Sequence, residues 1–214
     1  MSVAGATDAN AKTRLSACEL LLAEYIHRTA NDFATACAEI QVASRMPRLS
    51  AMQDRLAQAA TRLHALASIQ RILLPPREAT IDLSNCLREL CYHLAEARFA
   101  ERGSFIRLQT CEVVLDAERG WALLAIVSEL LTNATRHAFH SPGGLVLIEL
   151  TRRGDTILCR ICDNGAGFAA AHERRVGTAI VEALARGAGI DFLMLRRDAG
   201  TAIELSLVVP ATTP

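Results

Sequence analysis

The stretch ICDNGAGF, residues 161–168, runs an apolar strand into an aspartate and then into two glycines one residue apart. Gly165-Ala166-Gly167 has the spacing that opens a dinucleotide-binding loop. That loop, however, carries its acidic residue about twenty positions after the glycines, and here the acid comes first. An ionised Asp163 at the end of a buried strand can only accept hydrogen bonds, which suits an exocyclic amine such as N6 of adenine. Gly165 and Gly167 would let the backbone turn and let a base approach closely. The plainer reading is an Asp-Asn-Gly hairpin turn.

Three other segments bear on the choice. In SELLTNATRHAF, residues 128–139, Glu129, Asn133 and His137 stand at i, i+4 and i+8 and share a helix face. Ile126, Leu130, Leu131 and Ala134 are expected on the opposite face. A carboxylate and an amide one turn apart can hold a metal that bridges phosphates; Mg²⁺ needs few protein oxygens and keeps its waters. The alternative is an ordinary solvated face. In RRVGTAIVEALA, residues 174–185, Gly177 and Thr178 open a helix whose first amides can receive phosphate oxygens, with Arg174 and Arg175 just before it. Gly200-Thr201 precedes the last strand.

Composition narrows the classes further. The 214 residues are 51% hydrophobic but only 4% aromatic, so the core must be built from Leu, Ile, Val and Ala. Lys+Arg and Asp+Glu balance at 23 each, and no basic block marks a nucleic-acid partner. No apolar run approaches the ~20 residues of a membrane span. The seven cysteines are odd in number and mostly lie in apolar runs, which predicts inert thiols and a cytoplasmic location. Cys159 and Cys162 are three apart, and in a strand they face opposite sides.

The chain has two halves of different period. Residues 1–12 are small and polar and are predicted to be disordered. Residues 13–76 read as a helical hairpin broken at Pro47 and stopped by Pro75-Pro76. Leu22, Ile26, Thr29, Phe33, Ala36, Ile40 and Ala43 form a heptad seam. A lone hairpin cannot bury such a seam, so a homodimeric four-helix bundle is expected. Residues 77–214 mix helices and strands: a helix at 83–99, a strand or hairpin at 105–115, and a long helix at 117–139 capped by Asp116. Strands are expected at 144–152 and 156–162, a helix at 177–187, and final strands at 190–197 and 201–209 joined by a tight turn. The fold class is α+β: the hairpin followed by an α/β sandwich with one mixed sheet.

An Asn-bearing helix, Asp-x-Gly-x-Gly, a glycine at a helix start and then Gly-Thr before a final strand follow one another in the order found in GHKL ATPases. Residues 81–210 resemble the ATP-binding domain of sensor histidine kinases. In EYIHRTANDF, residues 24–33, His27, Arg28 and Asn31 match the phosphoacceptor box of the His-Arg-x-x-Asn subfamily. The resemblance implies ATP and Mg²⁺ as cofactors, autophosphorylation of His27, and transfer to an aspartate on a response-regulator receiver domain. It implies Asp163 on adenine, with Gly165 and Gly167 shaping the pocket. Asn133 would hold the metal and, with His137, line the nucleotide. Arg175, Gly177, Thr178 and Thr201 would meet the rest of the nucleotide, and Glu129 would orient the attacking imidazole or act as base. His64 and His93 stand in no such context. The chain departs from the pattern at Ala30, Asp32, Arg175 and Thr178, and its lid between Phe168 and Val176 is short, so slow autophosphorylation is expected. Two rivals share parts of the pattern: an ATP-independent histidine phosphotransferase, and a GHKL serine kinase or anti-sigma-type regulator. For a chain of this length, sensing is expected to come from a separate protein.

Overall fold

The computed structural model describes residues 29, 31–43, 45, 49–139, 143–166, 176–195, 197 and 199–209, with the side chains of 176–178 aside. The chain divides into two compact units, residues 1–67 and 68–214.

The first unit is helical. Residues 31–43 form α1, and Leu49–Ile72 form α2, whose last turns belong to the second unit. Small residues let the two helices meet: Ala36 and Ala43 of α1 and Ala59 of α2 are buried. An Arg62–Glu39 ion pair joins the helices. The expected seam is split. Its Ala36 and Ala43 column is covered, while Phe33 and Ile40 remain 61% and 45% exposed. Successive heptad positions sit on either side of the stripe, so one neighbouring helix covers only one column.

The second unit is built on a five-stranded sheet of order β2-β4-β5-β7-β6. Its strands are β2 (Phe105–Thr110), β4 (Leu145–Arg153), β5 (Thr156–Asp163), β6 (Asp191–Leu195) and β7 (Ala202–Val208). β2 runs parallel to β4, and the other pairs are antiparallel. Alternation decides which face is covered. Val146, Ile148 and Leu150, then Ile157, Cys159 and Ile161, then Ile203, Leu205 and Leu207 are all buried. Their registers place Ile148 beside Ile161 and Ile161 beside Ile203, one continuous apolar face. Helices α3 (Leu83–Leu94), α4 (Ala117–His137) and α5 (Val176–Ala188) cover it, with α4 in contact with both of the others.

Residues 105–115 do not form a hairpin. β3 (Val114–Asp116) leaves the sheet and pairs with β1 (Thr80–Asp82) in a separate two-stranded ribbon. The chain cannot turn back between them, because Cys111 N–H donates to Leu150 O at 3.1 Å while Val113 O accepts from Leu83 N at 2.9 Å. The ribbon delivers two helix caps. Asp82 accepts from Asn85 N at the start of α3, and Asp116 accepts from Arg119 N at the start of α4. Hydrogen bonds from the Ser84 hydroxyl and the Asn85 amide hold the Asp82 carboxyl below its ordinary range. The helix expected over 83–99 is α-helical only to Leu94, and a π-helical turn over Ala95–Phe99 follows. The wider turn puts both Ala97 and Phe99 in the core.

Candidate functional site

Asp163 is the last residue of β5, and its carboxylate is fixed by backbone. Oδ1 accepts from Gly165 N at 2.9 Å and from Thr201 N at 3.2 Å. The main chains of the same residues are joined as well, with Asp163 N donating to Thr201 O at 2.9 Å. Among the described residues Oδ2 takes no hydrogen bond, which leaves one carboxylate oxygen as an acceptor for a ligand. The Asp-Asn-Gly segment is therefore no hairpin turn. Asn164 turns away and closes the start of β4: its Oδ1 accepts from Leu145 N at 2.7 Å, and its N–H donates to Leu145 O at 3.2 Å.

Glycine is required at two points here. A Cβ on Gly165 would collide with the carbonyl and side chain of Ala138, just past the end of α4. That close approach lets Ala166 N donate to Ala138 O at 3.0 Å, so the loop after β5 lies on the C-terminus of α4. Gly200 has φ +73°, and a Cβ there would run into the Asp163 carbonyl. The expected nucleotide loop and the C-terminal half of α4 thus come together through backbone contacts. Asn164, Gly200 and Ala138 join the site residues named from sequence. Gly200 was visible beside Thr201, and an Asn preceding Gly was the available signal for Asn164.

The α4 residues are graded in depth. Glu129 is 5% exposed, Asn133 is half-buried, and His137 is exposed. Leu130 and Ala134, assigned by periodicity to the apolar side, are only half-buried, while Ile126 and Leu131 are fully covered. The Glu129 face is thus solvated only towards its C-terminal end, at His137, because α4 packs on both α3 and α5. Gly177 and Thr178 fall in the first turn of α5. His27, Gly167 and Arg175 lie outside the described residues.

The donor set fits adenine nucleotide with Mg²⁺. It offers a fixed carboxylate with a spare oxygen, an amide and a carboxylate on one helix face, and a helix start. Among the described residues no group of three His, Cys, Asp or Glu side chains could cage a metal alone. A magnesium ion shared between an amide oxygen and phosphates does not need such a cage.

Among the described residues no helix is long and apolar enough to cross a membrane. Cys91 and Cys159 are buried free thiols, and burial pushes both up to about 12. Such thiols stay protonated and unreactive.

Comparison with known proteins accords with this geometry. Residues 24–98 match the histidine kinase family model HisKA_2, and residues 102–194 match HATPase_c_2, the histidine kinase-like ATPase domain. The sensor histidine kinase PdtaS of Mycobacterium tuberculosis H37Rv is 25% identical over 195 residues, 87% of this chain and 39% of that protein. PdtaS of Mycolicibacterium smegmatis is 24% identical over 167 residues, 75% of this chain and 34% of its own length. The chain thus spans less than two fifths of these relatives. Among solved structures, the histidine kinase domain of the Erythrobacter litoralis EL346 blue-light activated histidine kinase has a TM-score of 0.58 at 21% identity. The match covers 84% of this chain and 94% of that one. A bacterial phosphotransferase has a TM-score of 0.67 at 14% identity, covering 89% and 96%. At these identities the structural likeness is one of fold. With a histidine kinase segment followed directly by a histidine kinase-like ATPase domain, the chain belongs to the histidine kinase family.

Proposed function

We propose that this protein autophosphorylates His27 with ATP and passes the phosphoryl group to an aspartate of a response-regulator receiver domain. The observation that carries the reading is Asp163, whose Oδ1 is held by two backbone amides while Oδ2 is left to accept from N6 of adenine. Gly165 and Gly200 support that geometry by allowing backbone contacts that any side chain would block. His27 lies within the segment matched by the histidine kinase model, and the His-Arg-x-x-Asn pattern supports it as the acceptor.

In the transfer, a ring nitrogen of His27 bonds to the γ-phosphorus, the P–O bond to ADP breaks, and the imidazole proton leaves. A neutral imidazole is a competent nucleophile near pH 7. Mg²⁺, when bound, supplies charge neutralisation on the phosphate oxygens. Asn133 is the residue assigned to hold it, with His137 beside the nucleotide. Glu129, one turn below Asn133, orients the imidazole or takes its proton, and its burial strengthens any such contact. The Gly177-Thr178 start of α5 faces phosphate through its amides, with Arg175 and Gly167 completing the lid side. Thr201 keeps Asp163 in place. Phosphoryl transfer depends mainly on positioning and charge, which suits a site with few reactive groups. The family supports a homodimer and a receiver-domain partner, and the unpaired core thiols support a cytoplasmic setting.

An ATP-independent phosphotransferase is the second reading, favoured by the fold likeness to a bacterial phosphotransferase. The two separate in one experiment. With Mg²⁺ and γ-labelled ATP the protein should acquire acid-labile, base-stable label. Asp163→Ala should weaken ATP binding by about ten- to a hundredfold, the worth of a charge-assisted hydrogen bond. His27→Ala should lose the label but still bind ATP. Label absent after long incubation, with His27 accepting phosphate from a phosphorylated receiver, would establish the phosphotransferase instead.

A further inference from the structure

The second unit contains a cavity of about 630 Å³ whose lining includes none of Asp163, Asn133 and Glu129. The end of α2, the Leu74-Pro75-Pro76-Arg77 connection, α3 and the first half of α4 line it, and it is open to solvent. That volume is in the usual range for small-molecule sites, roughly 300–1,000 Å³. Trp121 and Leu124 of α4, Ile81 of β1 and Ile72 of α2 supply an apolar lining. Trp121 is itself fixed, because its Nε1–H donates to Leu73 O at 2.8 Å. It stands about 12 Å along α4 from Glu129 and about 18 Å from Asn133.

The polar groups around this cavity are unequal in sign. Two guanidinium groups, Arg71 and Arg77, line it against a single carboxylate, Glu89. Glu89 is already engaged, accepting from Asn85 Nδ2 at 3.0 Å. Among the described residues Arg71 reaches only the neutral Ser68 hydroxyl, at 3.0 Å. Arg77 has no hydrogen bond or ion pair among the described residues. The cavity therefore combines an aromatic and aliphatic wall with guanidinium groups that no carboxylate neutralises. Arginine in that position matches a planar carboxylate in a two-pronged fit.

We propose that this cavity binds a small organic anion, a carboxylate on an apolar ring-sized body, with Arg71 and Arg77 on the carboxylate and Trp121 against the body. The site is separate from the nucleotide pocket and does not depend on the kinase reading. Its ligand would contact the helix that carries Glu129 and Asn133.

Trp121 is the only tryptophan in the chain, so its emission reports this cavity alone. The protein would be titrated with 4-cyclohexylbenzoate and, in parallel, with the neutral 4-cyclohexylbenzamide. A saturable change in Trp121 emission is expected with the carboxylate, with affinity about tenfold weaker for the amide. The double variant Arg71→Gln/Arg77→Gln changes only exposed side chains and should remove that preference. Saturating ATP with Mg²⁺ should leave the signal in place. The proposal is overturned by a flat response up to millimolar carboxylate. It is equally overturned if the amide binds as well as the acid, if the double variant binds unchanged, or if ATP displaces the probe.

Discussion

Gly200, between β6 and β7, combines two demands that no other residue meets. Its φ of +73° is costly for any side chain, and the Asp163 carbonyl occupies the place a Cβ would take. A left-handed conformation costs a non-glycine residue roughly 1–2 kcal/mol. Forcing atoms into packed backbone adds about 1–3 kcal/mol. Gly200→Ala should therefore lower stability by about 2–4 kcal/mol in urea unfolding and weaken ATP binding through displacement of Asp163. A midpoint equal to that of the parent would show that the loop relaxes without cost. Asp163 itself could be chosen from sequence as an acceptor after a buried strand. Its immobilisation through Thr201 N, 38 residues away, could not.

α4 owes its direction to what happens at its two ends. At its start Asp116 caps the Arg119 amide and pairs with the Arg119 guanidinium, which in turn donates to Val208 O at 2.9 Å, at the end of β7. At its end Ala138 receives the loop after β5. Asp116→Ala should cost about 1–2 kcal/mol through loss of the cap. Asp116→Asn, an equally good cap, should retain most of that stability when both are compared in denaturant melts. Equal losses for the two variants would place the effect in the charge on Arg119 rather than in the cap. The cap and the 3.6-residue period were readable in the sequence. The π-helical turn after α3 was not, because one extra residue per turn disturbs only a few positions and leaves the apolar spacing intact on either side.

At the level of the whole molecule, the first unit leaves a half-finished surface. Phe33, Ile40 and Leu56 are exposed on its two helices, while Ala36, Ala43 and Ala59 are covered. Large side chains left outside and small ones used inside are what a second hairpin would complement. Sedimentation of the parent chain should give twice the chain mass, and Phe33→Asp should shift it to monomer. A parent chain that stays monomeric at tens of micromolar would overturn the four-helix bundle.

From its sequence alone this protein's element types could be read, because helix and strand periods are local properties of the chain. So could the order of the site segments: the Glu129-Asn133-His137 face, Asp163 before its glycines, and Gly177 at a helix start. The tertiary structure alone decided which backbone groups hold those residues. Asn164 meets Leu145 across 19 residues of sequence, and Gly165 accepts the end of α4 as its neighbour. It also sent β3 into a ribbon with β1 instead of a hairpin with β2, and left two arginines facing an apolar cavity beside Trp121. Periodicity specifies which face of an element is apolar. It carries no information on which distant backbone amide will find a given carboxylate, because that depends on how the sheet and helices stack.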